Sequence, residues 1–403
     1  MYIASLVLGL VLLATVLLDA FQTIILPRRP VVRLRLTRFF FTFTWGPWAA
    51  IVRRVRARRV REQLYSIYGP LFLLALFVVW ALGLLVAYSL IYFGLHLPFT
   101  DPYHPATALT QLRSSLYVSG STLFTLGLGD VVPASHTARL LVVLEAGTGL
   151  GFIALVIGYL PVLYTAFSSR EIAVALLDAR AGSPPTAGEL LLRHHFDGGP
   201  QALIELLAEW ERWSATMLET HISYPILCYY RSQHDNQSWL AALTAVLDAC
   251  ALLITTIEGP ATRQAQLTFA IGRHVLIDLG HVFRREATEQ RIREAPPTRL
   301  HDEEFARLCD TLRQAGLSLC SDLNIHDRLV ALRRLYEPHA CALAQYLHLD
   351  LPLWVPPPSK SAKPDIWTAI GNLRSPAAII SQFTTHISPQ ATAAHLADED
   401  PHL

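Results

Sequence analysis

Between Gln111 and Pro133 the chain reads QLRSSLYVSGSTLFTLGLGDVVP. Its most chemically pointed part is Thr125-Leu126-Gly127-Leu128-Gly129-Asp130, where glycines alternate with larger residues. Glycine takes backbone angles closed to other residues. An alternation of such angles can aim successive carbonyls one way, and a ring of carbonyls can replace the water shell of a cation. Gly-x-Gly-Asp strings also arise in ordinary turns, so the flanking elements decide between the two readings. A second candidate constellation is His274, Asp278 and His281, at i, i+4 and i+7 on one helical face. It is compatible with metal binding or pH sensing, and equally with polar surface and core pairing.

Three apolar stretches are long enough to cross ~30 Å of hydrocarbon, which takes ~20 helical residues. They are Tyr2 to Leu26, interrupted by Asp19; Leu71 to Leu95, without charge; and Leu140 to Phe167, with the one charge Glu145. Gln111 to Phe124 fits a helix of roughly 20 Å at ~1.5 Å per residue, able to dip into a membrane but not to cross it. The loop after it therefore falls between two spans. Non-helical backbone at membrane depth is tolerated only when buried in protein or lining a watery path.

The composition agrees with a membrane protein. Hydrophobic residues make up 52% of the 403 and charged residues 16%, against ~25% charged in typical soluble domains; mean hydropathy is +0.35. This excludes a disordered chain. The formal net charge of +1 hides an asymmetry: residues 1–170 hold 14 Arg against 5 acids, and residues 171–403 hold 19 Lys and Arg against 27 acids. Residues 27–63 carry eleven of those arginines with the single acid Glu62. The positive-inside rule puts that loop in the cytoplasm, the 96–139 connection outside and everything after Arg170 inside. Basic charge follows the first apolar run, at Arg28 and Arg29, so that run reads as a retained anchor with its N-terminus outside. Residues 31–64 hold an aromatic run, Phe39 to Val52, followed by Arg53, Arg54, Arg56, Arg58, Arg59 and Arg61. They read as an interfacial segment, its arginines serving either topology alone or contact with anionic lipid. Asp19 is expected to meet the interface or Arg28.

The string Thr125 to Asp130, with Pro133 beyond it, resembles the signature filter of the potassium channel superfamily, and its Gly-Leu-Gly form is most like the second pore of tandem-pore potassium channels. In the handful of chain positions that matter, span, short helix, filter and span follow in the family's order over about residues 70–168. The resemblance implies potassium passing along the carbonyls of Thr125, Leu126, Gly127 and Leu128. It also implies a homotetramer, because one chain supplies one loop and a closed ring takes four. Leu128 replaces the family's usual tyrosine, and Tyr117 and Val118 stand where pore-helix tryptophans brace it, so apolar packing is expected in place of a polar cuff. Ser121 stands where some relatives have glutamate, and Phe124 where many have threonine.

In the third span, Gly147, Gly149, Gly151, Gly158 and Pro161 suit either close packing through small residues or a hinge. Gly149, Gly158 and Pro161 are the hinge candidates. Glu145 is costly against lipid and is expected to face the pore, the filter's support or a neighbouring subunit, with tuning of cations as the functional reading. Residues 171–350 are expected to be all-helical, with Trp239 to Ile257 a buried helix and not a fourth span. No dinucleotide fingerprint, phosphate loop or nucleophile elbow is visible.

The expected fold class is an all-α membrane protein: three transmembrane helices, a re-entrant pore helix with its filter loop, and an all-helical cytoplasmic domain. The expected divisions are an anchor at 1–26, a basic interfacial segment at 27–69, a pore domain at 70–169, a helical regulatory domain at 170–351, and a Pro-rich linker and tail at 352–403. The expected function is passive potassium conduction across the cell membrane, gated by the cytoplasmic domain through an unidentified ligand, with no enzymatic activity, cofactor or nucleic-acid partner. Two alternatives stand beside it: a weakly selective cation channel, and a membrane-tethered sensor that uses the pore domain as an oligomerisation anchor.

Overall fold

The computed structural model describes residues 2–26, 36–100, 108–196, 198–232, 237–283, 295–320, 322 and 324–355. Arg28, Arg29, the His234-Asp235 pair and nearly all of the 352–403 segment lie outside these residues. The described chain is all-α apart from a two-residue strand pair, and it divides into two units.

The first unit comprises Met1–Ser168 and Thr220–Arg231. Its helices are α1 (Tyr2–Ile24), α2 (Leu36–Val52), α3 (Arg58–Gly94), α4 (Ala108–Leu123) and the start of α5 (His136–Ala181). α1, α3 and α5 are long and apolar enough to cross a membrane. α1 lies along α3 because glycines leave room for the partner's backbone. A Cβ on Gly94 would fall 2.6 Å from the Leu6 amide nitrogen, and one on Gly9 would fall 2.8 Å from the Ala87 carbonyl oxygen.

Arg28, one of the two partners expected for Asp19, lies outside the described residues. Asp19 is buried and accepts from Trp80 Nε1 at 2.9 Å, the Thr37 amide at 3.1 Å and the Thr37 hydroxyl at 2.6 Å. Its carboxylate thus satisfies open amide donors at the start of α2 and ties that helix to α1 and α3.

α3 begins at Arg58, so the boundary expected at 69–70 falls inside a helix, with Pro70 in its interior. The aromatic run of α2 packs inward as well as facing out. Trp45 is buried against Tyr65 and Tyr68, with ring centroids at 5.9 and 4.7 Å, while Phe39 and Phe43 remain exposed. A short 3-10 segment, Pro225–Tyr229, completes this cluster. Tyr229 stacks on Phe41 at 5.9 Å and stands edge-on to Trp45 at 5.0 Å. Tyr224 meets Tyr159 of α5 at 5.6 Å, Tyr230 meets Phe167 at 5.6 Å, and Arg231 lies 4.8 Å over the Tyr65 ring and 3.4 Å from Glu62. Residues 220–231 therefore belong to the first unit, inside the stretch expected to be regulatory.

The second unit comprises Ser169–Glu219 and Ser232–Leu403. It holds the end of α5, α6 (Ala187–Arg193), α7 (Gly199–Ser223, in part), α8 (Trp239–Thr255), α9 (Thr262–Phe283), α10 (Asp302–Gln314), α11 (Ile325–Arg333) and α12 (Glu337–Leu347). Ser238 caps α8 by accepting the Ala241 amide, and Thr186 caps α6 through Glu189. α8 is buried along almost its whole length, which agrees with a bundle core helix. Its Asp248 is fully buried and paired: Arg299 reaches it at 2.7 and 3.2 Å, and the Tyr336 hydroxyl at 2.5 Å. Arg333 and Glu337 form a second buried pair at 2.9 Å. Glu337 also accepts the amides of Thr298 and Arg299 at 2.7 Å, so the Pro296-Pro297 break is pinned to the bundle. Buried charge on this scale is tolerable because each group is matched by partners.

Candidate ion-conducting site

α4 ends at Leu123, and the chain leaves the helix at the residues whose types indicated it. φ is +56° at Thr125, +57° at Gly127 and +78° at Gly129, whereas Leu126 and Leu128 between them keep negative values. Alternation of right- and left-handed residues turns successive amides to one side, and hence carbonyls to the other. The amides have a definite anchor. Leu126 and Gly127 donate to the Ser121 carbonyl at 2.8 and 3.4 Å, and Leu128 donates to the Ser121 hydroxyl at 3.4 Å. Ser121 thus holds the loop from behind. A left-handed threonine is uncommon, and such outliers concentrate at functional sites.

Beyond the loop, β1 (Phe99–Thr100) pairs antiparallel with β2 (Val132–Pro133), and Ala134 donates to the Pro98 carbonyl at 3.0 Å. This staples the loop's exit to the end of α3. Beneath the staple Tyr88, Tyr92, Leu97, Val118 and Ala138 form a buried cluster. The packing here is apolar in part and carries one polar contact. Val118 is apolar and buried, but Tyr117 donates its hydroxyl to both Asp130 carboxylate oxygens, at 2.9 and 2.8 Å. Tyrosine keeps an apolar body with a polar tip, so it can pack against the helix and still hold the loop's acid. Leu126 and Leu128 are 62% and 61% exposed in the chain.

The inner helix supports the loop through one glycine. A Cβ on Gly149 would lie 2.3 Å from the Leu123 carbonyl oxygen, whereas Gly147, Gly151 and Gly158 face open space. Gly149 is therefore a close-packing position at the end of α4. Gly158 and Pro161 lie further along the same uninterrupted helix.

Glu145 is found between α3 and α4, the short helix that precedes the loop. It is fully buried and bonds to Tyr92 of α3 and, at 2.5 Å, to Ser119 of α4. No spacing rule would have joined these three residues, since they meet only once three helices have packed.

Of the histidine constellation, His274 Nε2 lies 3.1 Å from Asp278, but His281 Nδ1 stays 3.8 Å away. Among the described residues no group of three metal-ligating side chains is disposed to hold an ion. His274 and Asp278 are hydrogen-bonded one turn apart on the same helix. Arg53, Arg54, Arg56, Arg58 and Arg59 are exposed around the turn between α2 and α3.

No curated protein and no solved structure matches the chain. Residues 75–165, from the middle of α3 through α4 and the loop to the inner half of α5, match the ion channel family model, which supports an ion channel in this multi-pass membrane protein.

Proposed function

We propose that the protein is a potassium-selective channel in which four copies bring their Thr125–Asp130 loops around one axis. The observation that carries this reading is the alternation of left-handed residues at 125, 127 and 129, anchored on Ser121. Four such loops supply rings of carbonyls from Thr125, Leu126, Gly127 and Leu128 that replace hydration, and ions advance by mutual repulsion. Assembly is further supported by α5, the least covered of the three spans: 11% of its apolar window is buried within the chain, against 39% for α3.

The N-terminus and the 96–139 connection lie outside and the second unit in the cytoplasm, as loop arginines dictate. There the helical domain, responding to a ligand, shifts the pore between open and closed forms through differential affinity. The arginines at 53–61 sit at the anionic headgroup plane, below the apolar exposed residues Phe39, Phe43 and Ile51 of α2. Gly158 and Pro161 are the bending points of the inner helix. Leu128, in place of the usual tyrosine, favours a second reading as a weakly selective cation channel.

The deciding experiment is flux through the purified full-length protein in liposomes, with reversal potentials measured under potassium and sodium gradients. A potassium-following potential supports the first reading and a potential midway between the two ions the second. Absence of flux under all gradients, ligands and voltages leaves the membrane-tethered sensor.

A further inference from the structure

Behind the pore helix, one serine has more hydrogen-bond neighbours than hydrogens. Ser119 Oγ lies 2.9 Å from the Leu85 carbonyl oxygen and 2.5 Å from Glu145 Oε1. A hydroxyl has one hydrogen and a backbone carbonyl only accepts. If Glu145 were a carboxylate, Ser119 would face two acceptors with one donor. The other carboxyl oxygen, Oε2, receives the Tyr92 hydroxyl.

We infer that Glu145 carries a proton in the folded protein and acts as a positioning residue for the pore helix. With the proton on Oε1 the accounting closes. Tyr92 donates to Oε2, Glu145 donates from Oε1 to Ser119 Oγ, and Ser119 donates to the Leu85 carbonyl. Three hydrogens then fill three contacts. The neighbourhood agrees with a neutral group. Glu145, Tyr92 and Ser119 are all fully buried. The titratable groups facing the site are Tyr92 and, beyond it, Tyr88, both on α3, and Tyr88 is engaged with Thr148 at 2.8 Å. From α4 come only serines, and no basic side chain pairs with Glu145 among the described residues. A lone charge so placed would be strongly disfavoured between membrane-spanning helices.

The outcome is an uncharged chain of hydrogen bonds running Tyr92–Glu145–Ser119–Leu85. It fixes α4 to α3 and α5 without putting a charge behind the ion path. Ser119 precedes the loop's anchor, Ser121, by two residues, so a shift of Ser119 moves the anchor. This positioning role rests on the pore reading; the proton does not.

The test compares E145Q, E145A and S119A in the full-length protein. An amide matches the neutral acid: its NH2 donates to Ser119 and its carbonyl accepts from Tyr92. E145Q is therefore expected to keep wild-type thermal stability and ion preference, whereas E145A and S119A lose both, and their double variant loses no more than one of them. Infrared spectra should show a protonated-carboxyl stretch in the wild type that is missing in E145Q. Collapse of E145Q to the level of E145A, or no such band in the wild type, overturns the inference. If the wild type passes no ions, the pore reading falls, and the infrared band with the stability of E145Q still decides the proton.

Discussion

The Tyr117 hydroxyl sits 2.9 and 2.8 Å from the two oxygens of Asp130, thirteen residues further along the chain. One residue is on the short helix and the other is the loop's last member, so the contact closes the loop as a brace. Both side chains are exposed, and an exposed tie to a charged acceptor gives ~0.5–1.5 kcal/mol at best. Tyr117→Phe should leave the assembled protein intact and weaken the hold on the loop's exit. Lower conductance or a faster decline of flux in Y117F, with unchanged oligomeric state on native gels, is the expected result.

Gly127 and Gly129 test the ring itself. A Cβ at Gly127 would meet nothing within 4 Å, so space is not the constraint there. The constraint is φ, at +57° and +78°, which costs an alanine ~1–2 kcal/mol in the left-handed region. Alanine at either position should relax the backbone out of the alternation and abolish conduction while assembly persists. Normal potassium flux in either variant would falsify the carbonyl-ring reading.

Local features of this region were legible in the sequence. The short helix ends where its polar and small residues give way to the glycine alternation, and α8 could be placed in the core of a helical bundle because Asp248 is too costly in a span. Contacts between distant helices were not. Asp19 finds Thr37 and Trp80, eighteen and sixty-one residues away. Neither partner has a periodic relation to it. The Pro225–Tyr229 segment was also hidden. Its aromatic residues read as part of a helical domain, and their fit against Trp45 and Tyr68 depends on how α2 folds back on α3.

Gly149 and Gly158 separate packing from bending. Since a methyl on Gly149 would press on the Leu123 carbonyl at 2.3 Å, Gly149→Ala should push the end of α4 and disturb ion preference. Gly158 faces open space, and alanine there adds ~1 kcal/mol of helix propensity. Gly158→Ala should stiffen α5 and change open probability while leaving preference alone. Single-channel recordings of the two variants distinguish these effects; a G149A that changes only gating would return Gly149 to the hinge.

The Tyr230 ring occupies the space that a side chain at position 69 would need. A Cβ on Gly69 falls 2.7 Å from its Cδ2, and overpacking of this kind costs ~1–3 kcal/mol. Gly69→Ala should therefore dislodge residues 224–231 from α3 and lower thermal stability. Tyr230→Ala opens the same space, so the G69A/Y230A pair should cost less than the sum of its members. Additive losses in the double-mutant cycle would show that the two residues do not share the site.

His194, in the second unit, supplies a pH dependence whose sign can be worked out. The imidazole is buried, and Nδ1 lies 2.7 Å from the Leu190 carbonyl, which makes Nδ1 the protonated nitrogen of a neutral ring. Burial lowers its affinity for a second proton below the ordinary value; the Leu190 bond opposes this in part, and Arg180 and Arg193 add smaller pushes in the same direction as burial. The unfolded chain takes up that proton near pH ~6.5, while the folded one resists until lower pH. Between those two points the unfolded state binds more protons, so acid favours unfolding. The stabilisation is complete above the unfolded value and disappears as pH falls toward the folded one. Thermal unfolding of the full-length protein should thus show a melting temperature that drops on acidification through this window. His194→Gln, which keeps an N–H for Leu190 and cannot titrate, should flatten that drop. A melting curve with the same pH slope in wild type and H194Q would place the acid sensitivity elsewhere in the chain.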